Sequence, residues 1–394
     1  MSDKHVLVAG GGPVGFLTAL GLARAGIRVS LVEAEPEIVN SPRAMVYHWS
    51  VLEGLDRLGV LDDARKIGFV KQEFSHWLFR TNERINWSLD ALDPITPYPF
   101  NLHLGQNELA RIAWQHLERL PGTSVRFGTK ISGLTQDASG VSVTLQTPQG
   151  PVDERYDWVI GADGGGSTVR EKLLGLNFFG ITHPERFIAT NVRHDFRQHG
   201  FLLSNLTIDP VYGAIIVRID DSDLWRITVM EDASLPLDGV PERMDAFYRT
   251  YAPGIEGYEL VQYSPYRMHQ RCADTMRVGR VVLAGDAAHI TNPTGGLGLT
   301  SGLFDVYHLL EVMTAVLLEG ASEDHLDTYS DRRRQMFIER ASPQAVVNKR
   351  LIFHAYQDSW LEERLAFLRR LPDEPDVVRQ MAGFTKTLET HMDR

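Results

Sequence analysis

"HVLVAGGGPVGFLTALGLARAGIRVSLVE", His5–Glu33, decides the fold. His5 to Ala9 is a short apolar, β-branched run and reads as a strand buried on both faces. From Pro13 to Ala25, apolar residues at Val14, Leu17, Leu20 and Leu22 predict a helix, and Gly26 fits its C-terminal stop. Arg28 to Glu33 predicts a second buried strand. Between the first strand and the helix, Gly10, Gly12 and Gly15 stand at the spacing G-x-G-x-x-G. Glycines let the chain turn tightly and let a pyrophosphate reach the backbone. The open N–H groups and positive end of the helix favour that anion. Glu33, ending the second strand, can accept hydrogen bonds from a ribose and argues against a 2′-phosphate. The unit therefore predicts NAD or FAD rather than NADP. The alternative is a structural turn with an incidental acid.

Working outward, the chain of 394 residues is long enough for one large or two intimate domains. It is 43% hydrophobic and 23% charged, an ordinary globular composition. The formal net charge of −11 disfavours nucleic acid and anionic membranes as partners. No apolar run approaches the length of a membrane span. MSDK leads straight into the first strand, leaving no room for a signal peptide. With Cys272 as the single cysteine, the expectation is a cytoplasmic protein, with Cys272 as structural filler. The histidines lack metal-ligand spacing, so no metal is expected. Oligomeric state is left open between monomer and homodimer.

Two further strand–glycine units follow. "YDWVIGADGGGSTVREKLLG" reads as strand, glycine turn and helix, with Asp163 at the strand exit. "RVVLAGDAAHITNPTGGLGLTSG" puts Asp286 at the exit of a buried strand, where a carboxylate can hold sugar or ribityl hydroxyls. Pro293, Gly295, Gly296 and Gly298 then form a loop against which a flat ligand could lie. Apolar residues at Leu299, Leu303, Val306, Leu310, Met313 and Leu317 predict a long helix stopped by Gly320. Its N-terminus suits the partly negative edge of a reduced flavin. Residues 1–70, 104–176 and 271–340 read as a discontinuous nucleotide-binding domain. Residues 71–103 and 177–270 read as an inserted, mostly strand domain, with a hairpin turning at Asp220–Asp223. Residues 341–394 read as C-terminal helices broken at "PDEPD".

In order and spacing, "GGGPVG", "DGGGSTVR" and "GDAAHITNPTGGLGL" resemble the motifs of the single-component FAD-dependent aromatic hydroxylases, the p-hydroxybenzoate hydroxylase-like flavin monooxygenases. The resemblance covers about residues 4 to 340. It implies an α/β fold: a Rossmann-like FAD-binding domain, an inserted mostly β substrate domain and a helical C-terminal region. It implies FAD contacts from Gly10, Gly12, Pro13, Val14, Gly15, Glu33 and Ala34. Arg43 in "SPRA" would reach the diphosphate or ribityl region, and Gln106 would contact FAD. Ile131 would offer its backbone to the adenine. Asp163, with Arg170, occupies the Asp-Gly motif implicated in FAD and NAD(P)H binding. Asp286 would hold the ribityl chain, and Gly296, Gly298, Leu299 and Thr300 would cap the isoalloxazine. The sequence departs from the family at Thr300, which replaces a usual asparagine, and at Gly165 and Gly166, which replace bulkier residues and loosen the turn. In size the chain resembles the shorter branch, without a thioredoxin-like C-terminal domain.

The implied reaction uses NADH or NADPH as transient reductant and O2 as cosubstrate. It proceeds through a C4a-hydroperoxyflavin to hydroxylate a small, electron-rich aromatic substrate such as a phenol. The first candidate for the substrate's base is His48, with a hydrogen-bonded core histidine as the alternative. Tyr212 and Trp225 are expected near the pocket, and Pro293 could offer its carbonyl to a substrate hydroxyl. Arg332, Arg333 and Arg334 read as a solvated face or interdomain ion pairs. Rival readings are an epoxidase, halogenase or reductase on the same fold, or a non-catalytic escort protein. A simple NAD dehydrogenase leaves "GDAAHITNPTGGLGL" unexplained.

Overall fold

The computed structural model describes residues 3–40, 45–220 and 222–393. Arg43 lies outside them. The opening stretch folds as its periodicity dictates: strand His5–Ala9, helix Pro13–Arg24, strand Arg28–Val32. Gly26 takes the left-handed backbone (φ +85°) that ends the helix.

These strands found a six-stranded sheet. Its order is Arg277–Val278, Val281–Leu283, Trp158–Gly161, His5–Ala9, Arg28–Val32 and Thr123–Arg126. All neighbours are parallel except the first pair. All three glycine turns therefore leave the same edge of one sheet, at the carboxyl ends of adjacent strands, where such sheets bind ligands. Side chains such as Val6, Leu7 and Val8 are fully buried, as a sheet covered on both faces requires. Packed against it, the strands Lys130–Asp137, Gly140–Thr147 and Gly150–Tyr156 form an antiparallel three-stranded sheet.

The second large body is an eight-stranded sheet. The long antiparallel strands Phe178–Arg193 and Glu259–Ala273 dominate it, and Glu73–Leu78 and Glu83–Ser88 close one edge. A second small sheet joins Val46–Tyr47, Asn101–His103 and Phe69–Lys71. It bridges the two bodies. The fold is thus α/β with a Rossmann-like sheet, a large β sheet and C-terminal helices, as the sequence implies.

Several elements differ from the sequence reading. Val240–Tyr251 is a helix inside the region read as mostly strand, and Met244, Tyr248 and Tyr251 bury one face of it. After the Asp163 motif the helix is a single wide turn, Val169–Leu173. The C-terminal helices break at 354–358 as well as near "PDEPD". The long helix runs Leu297–Thr314 and continues to Glu319. By length and composition Leu297–Glu319 could cross a membrane, contrary to the sequence expectation, but it is the central core helix. Cys272 is buried, which pushes its thiol up to about 12 and disfavours the reactive thiolate.

Candidate active site

The first glycine turn divides its duties. Gly10 holds φ +115°, and a Cβ there would strike the Ala162 carbonyl; a Cβ at Gly15 would strike the Gly10 carbonyl. Both are required by close approach of backbone. Gly12 is different. Nothing of the protein lies within 4 Å of its absent Cβ, and with Pro13 and Val14 it faces the main cavity. The helix it caps has no side-chain cap and carries proline at its start, so its N-terminus is open to a ligand. Glu33 braces the turn: Oε2 accepts from the Gly11 N–H at 2.5 Å and Oε1 from the Glu35 N–H at 2.8 Å.

The second turn is closed rather than loosened by its glycines. Asp163 accepts from the Ser167 hydroxyl at 2.5 Å and the Val169 N–H at 3.1 Å. Gly164 (φ +78°), Gly165 and Gly166 face the cavity, and only Ile290 approaches the two latter, at 3.5 Å from Gly165. Arg170 ties this turn to the third, donating to the Gly165 and Ala287 carbonyls, each at 2.9 Å, over the Phe178 ring.

The third turn is held from beneath. Asp305, on the long helix and fully buried, accepts from the Gly285 N–H at 2.8 Å. It also pairs with His289 Nε2 at 2.8 Å and Arg333 Nε at 2.7 Å. Burial pushes its carboxyl up, but His289 and Arg333 outweigh that and hold it well below the carboxylate range. Arg333 is therefore a buried strut, not part of a solvated face. Its neighbours differ: Arg332 pairs with Asp393 near the surface, and Arg334 donates to the Ala273 carbonyl. Asp286 projects at the strand exit into the cavity. Pro293, Gly296, Gly298 and Leu299 line the cavity beside it, below a helix start without a side-chain cap. Thr300 does not reach the cavity. Its hydroxyl and N–H both bond the Gly296 carbonyl, at 3.0 and 3.3 Å.

These turns open on one cavity of about 1330 Å³. That exceeds the usual volume of a single small-ligand site and suits a cofactor together with a substrate. Gln106, at the start of its helix, reaches it too. The empty space over Gly12 and Gly166 fits the backbone approach a dinucleotide needs. Gly10, Gly15, Glu33, Ala34, Ile131 and Asp163 are not among the lining residues. Ile131 is buried on its strand, and Asp163 serves its own turn.

His48 does line the cavity. Its Nε2 lies 2.8 Å from the Gly295 carbonyl and so carries the proton, leaving Nδ1 as the acceptor. Burial lowers its pKa, partly offset by that bond. Tyr212 is not brought to the cavity. It packs against Phe79 and Phe247 in a separate aromatic core, and its carbonyl accepts from the Tyr251 hydroxyl. Trp225 is fully buried in that same core.

Other lining residues were not singled out in the sequence. Phe74 and Trp87 stack at 4.6 Å, and the Trp87 indole N–H donates to His76 Nδ1 at 3.1 Å. Burial takes His76 down to about 4, so it stays neutral. Asn101 and His103 come from a strand too short for alternation to stand out. Arg226 projects from the large sheet, and burial lowers it only to about 10. Met381 and Phe384, near the C-terminus, complete the wall. No cluster of metal ligands occurs among the described residues.

Comparison with known proteins agrees with this geometry. The FAD binding domain family matches residues 3–342. The chain is 45% identical over 389 residues to 6-hydroxy-3-succinoylpyridine 3-monooxygenase HspB of Pseudomonas putida (strain DSM 28022 / S16), covering 99% of each. It is 44% identical over 348 residues to para-nitrophenol 4-monooxygenase of Pseudomonas sp. (strain WBC-3), covering 87% of this chain and 86% of that protein. The crystal structure of p-nitrophenol 4-monooxygenase PnpA from Pseudomonas putida DLL-E4 superposes with a TM-score of 0.92 at 39% identity, over 99% of both chains. Three glycine turns on one sheet edge, one shared cavity and these relatives lead to a single conclusion: the chain belongs to the FAD-binding monooxygenase family, as an FAD-dependent aromatic hydroxylase.

Proposed function

We propose that the enzyme takes electrons from NADH or NADPH and one oxygen atom from O2, and hydroxylates a ring that already bears a hydroxyl, a phenol or a hydroxypyridine. The observation that carries this reading is the cavity itself. One end is walled by glycine loops, and the other by an aromatic stack, neutral histidines and an arginine. FAD, when bound, supplies the redox chemistry and oxygen activation. Gly12, Pro13, Val14, Gln106, Asp286, Gly296, Gly298 and Leu299 would hold it from the cavity side. Gly10, Gly15 and Asp163 would shape the turns. Glu33, Ala34 and Ile131 are proposed for the adenosine half, and the Asp163 turn with Arg170 for the approach of the nicotinamide nucleotide.

The chain's own part is orientation and exclusion of water, which protects an activated oxygen from release as peroxide. The stack of Phe74 and Trp87 offers a flat apolar face to an aromatic ring. His48, with Nδ1 as acceptor, can take the substrate hydroxyl's proton, and the Pro293 carbonyl lies on the same loop face. The names of the two relatives point to hydroxypyridine and nitrophenol substrates as the first to try.

The test is NAD(P)H oxidation by the yellow protein with a panel of phenols, aminophenols and hydroxypyridines, with peroxide measured in parallel. One aromatic that accelerates oxidation many-fold with little peroxide is the expected result. Oxidation indifferent to every aromatic, or ending wholly as peroxide, overturns the reading in favour of an epoxidase or reductase.

A further inference from the structure

The strand Asn101–His103 alternates its side chains: Leu102 is buried in the main core, while Asn101 and His103 line the cavity. Asn101 is engaged, its Oδ1 accepting from the Trp49 N–H at 3.0 Å. The cavity histidines His48, His76 and His269 each have a hydrogen-bond partner, respectively the Gly295 carbonyl, the Trp87 indole and the Thr182 hydroxyl. His103 is 1% exposed, and neither of its ring nitrogens has a hydrogen-bond partner among the described residues. A buried polar ring in that condition is destabilising unless a ligand meets it.

Its surroundings indicate what kind of ligand. Phe69–Lys71 is the adjacent strand, with Phe69 opposite His103. Burial first, then Lys71, His48 and Arg226, lower His103 well below its ordinary value. The ring is therefore neutral, with one N–H to donate. Lys71 is held down to about 6 by burial and by Arg218, and donates to the Leu203 and Arg218 carbonyls. Arg226 keeps its charge at working pH. Among the described residues lining the cavity, Arg226, Arg267 and Arg364 stand against the one carboxylate of Asp286. An oxygen anion is favoured beside a neutral N–H donor and a guanidinium; an ether or an unionised ring is not.

We propose that His103 is a specificity-determining residue that donates its N–H to the ionised hydroxyl of the aromatic substrate, with the Arg226 charge beside that oxygen. The inference rests on the hydroxylase reading above and narrows it to rings whose hydroxyl ionises readily. The O–H bond breaks heterolytically, the electron pair stays on oxygen, and the proton passes to His48 Nδ1 and on to solvent.

The experiment titrates the yellow holoenzyme with 4-nitrophenol, whose anion is coloured, and with its O-methyl ether 4-nitroanisole, across a range of pH. In the wild type, bound nitrophenol is expected to stay anionic at lower pH than in water. His103→Leu is expected to weaken nitrophenol binding about 10- to 100-fold, the range for a hydrogen bond to a charged group. It should return the bound ionisation towards that of the free probe and leave nitroanisole affinity unchanged. His103→Gln, which keeps an N–H, should recover part of the loss. The Leu variant should melt no earlier than wild type, because it removes an unsatisfied polar group without opening a cavity. Unchanged nitrophenol binding and ionisation in His103→Leu overturn the proposal, as does equal loss of both probes, which marks a packing role. Wild-type protein that binds nitrophenol no better than nitroanisole also overturns it. Failure of the parent hydroxylase reading shows separately, in the oxidation and peroxide assay.

Discussion

Gly10 and Gly12 stand two residues apart under different constraints. Gly10 is needed by the protein, because a side chain there would strike the Ala162 carbonyl at a positive φ. Gly12 meets no protein atom within 4 Å of an added Cβ and faces the cavity, so the fold itself does not require glycine there. Gly10→Ala is expected to destabilise the FAD-free protein by more than about 1 kcal/mol. Gly12→Ala should leave its stability within about 0.5 kcal/mol and weaken FAD binding at least about tenfold. Urea denaturation and flavin-fluorescence titration of both variants check the contrast. The spacing G-x-G-x-x-G was legible in the sequence, but this division was not, because it depends on a carbonyl about 150 positions away in the chain. Lys71 gives a second residue-scale prediction. Its folded value, about 6, lies below its unfolded one, so the unfolded chain binds more protons between those values. Stability should therefore rise with pH from about 6 upward, by at most about 1.4 kcal/mol per pH unit. Lys71→Met should flatten that slope in pH-dependent denaturation.

Among elements, the helices show how tightly the long core helix is gripped. Gly54, on the helix Trp49–Arg57, leaves no room for a Cβ because the Tyr307 ring lies against it. That ring is pinned by its hydroxyl, which donates to the Val51 carbonyl at 2.8 Å. Alanine is the better helix former by about 1 kcal/mol, yet Gly54→Ala is expected to lower stability by about 1–3 kcal/mol through overpacking. A rise in melting temperature would contradict this. Strong periodicity made the helices Pro13–Arg24 and Leu297–Thr314 readable from sequence. Val240–Tyr251 was hidden because its polar face and flanking strands masked a narrow apolar stripe. Asn101–His103 ends the stretch read as mostly strand, but three residues carry no period to show which side chains face the cavity, so His103 was not singled out. His48 was found because it follows a motif; Tyr212 was misplaced because the facing of hairpin side chains cannot be fixed without the sheet.

For the whole molecule, the C-terminal helices are part of the cavity wall as well as its cover. Phe367 lines it, and the Trp49 indole N–H reaches the Ala382 carbonyl at 3.0 Å. Phe367→Ala should admit water and raise the fraction of NAD(P)H oxidation that ends as peroxide; an unchanged ratio would show that the wall there is redundant. The buried Asp305 network is the other global device. Because the folded carboxyl sits below its unfolded value of about 3.9, its stabilisation is complete above that pH and lost as pH falls below it. Asp305→Ala, which leaves Arg333 buried without its carboxylate, should cost about 3–5 kcal/mol near neutral pH. The difference from wild type should shrink in acid denaturation.

The reach of that network has a practical side. Arg333, besides holding Asp305, donates to the Leu388 carbonyl at 2.5 Å and the Thr390 hydroxyl at 3.2 Å, while Asp305 holds the Gly285 turn. The segment 388–390 and the Gly285 turn at the cavity thus share one anchor. Occupancy of the site and protection of the 388–390 backbone from hydrogen exchange should rise and fall together, so the exchange rate there becomes a label-free gauge of how much of a preparation carries its flavin.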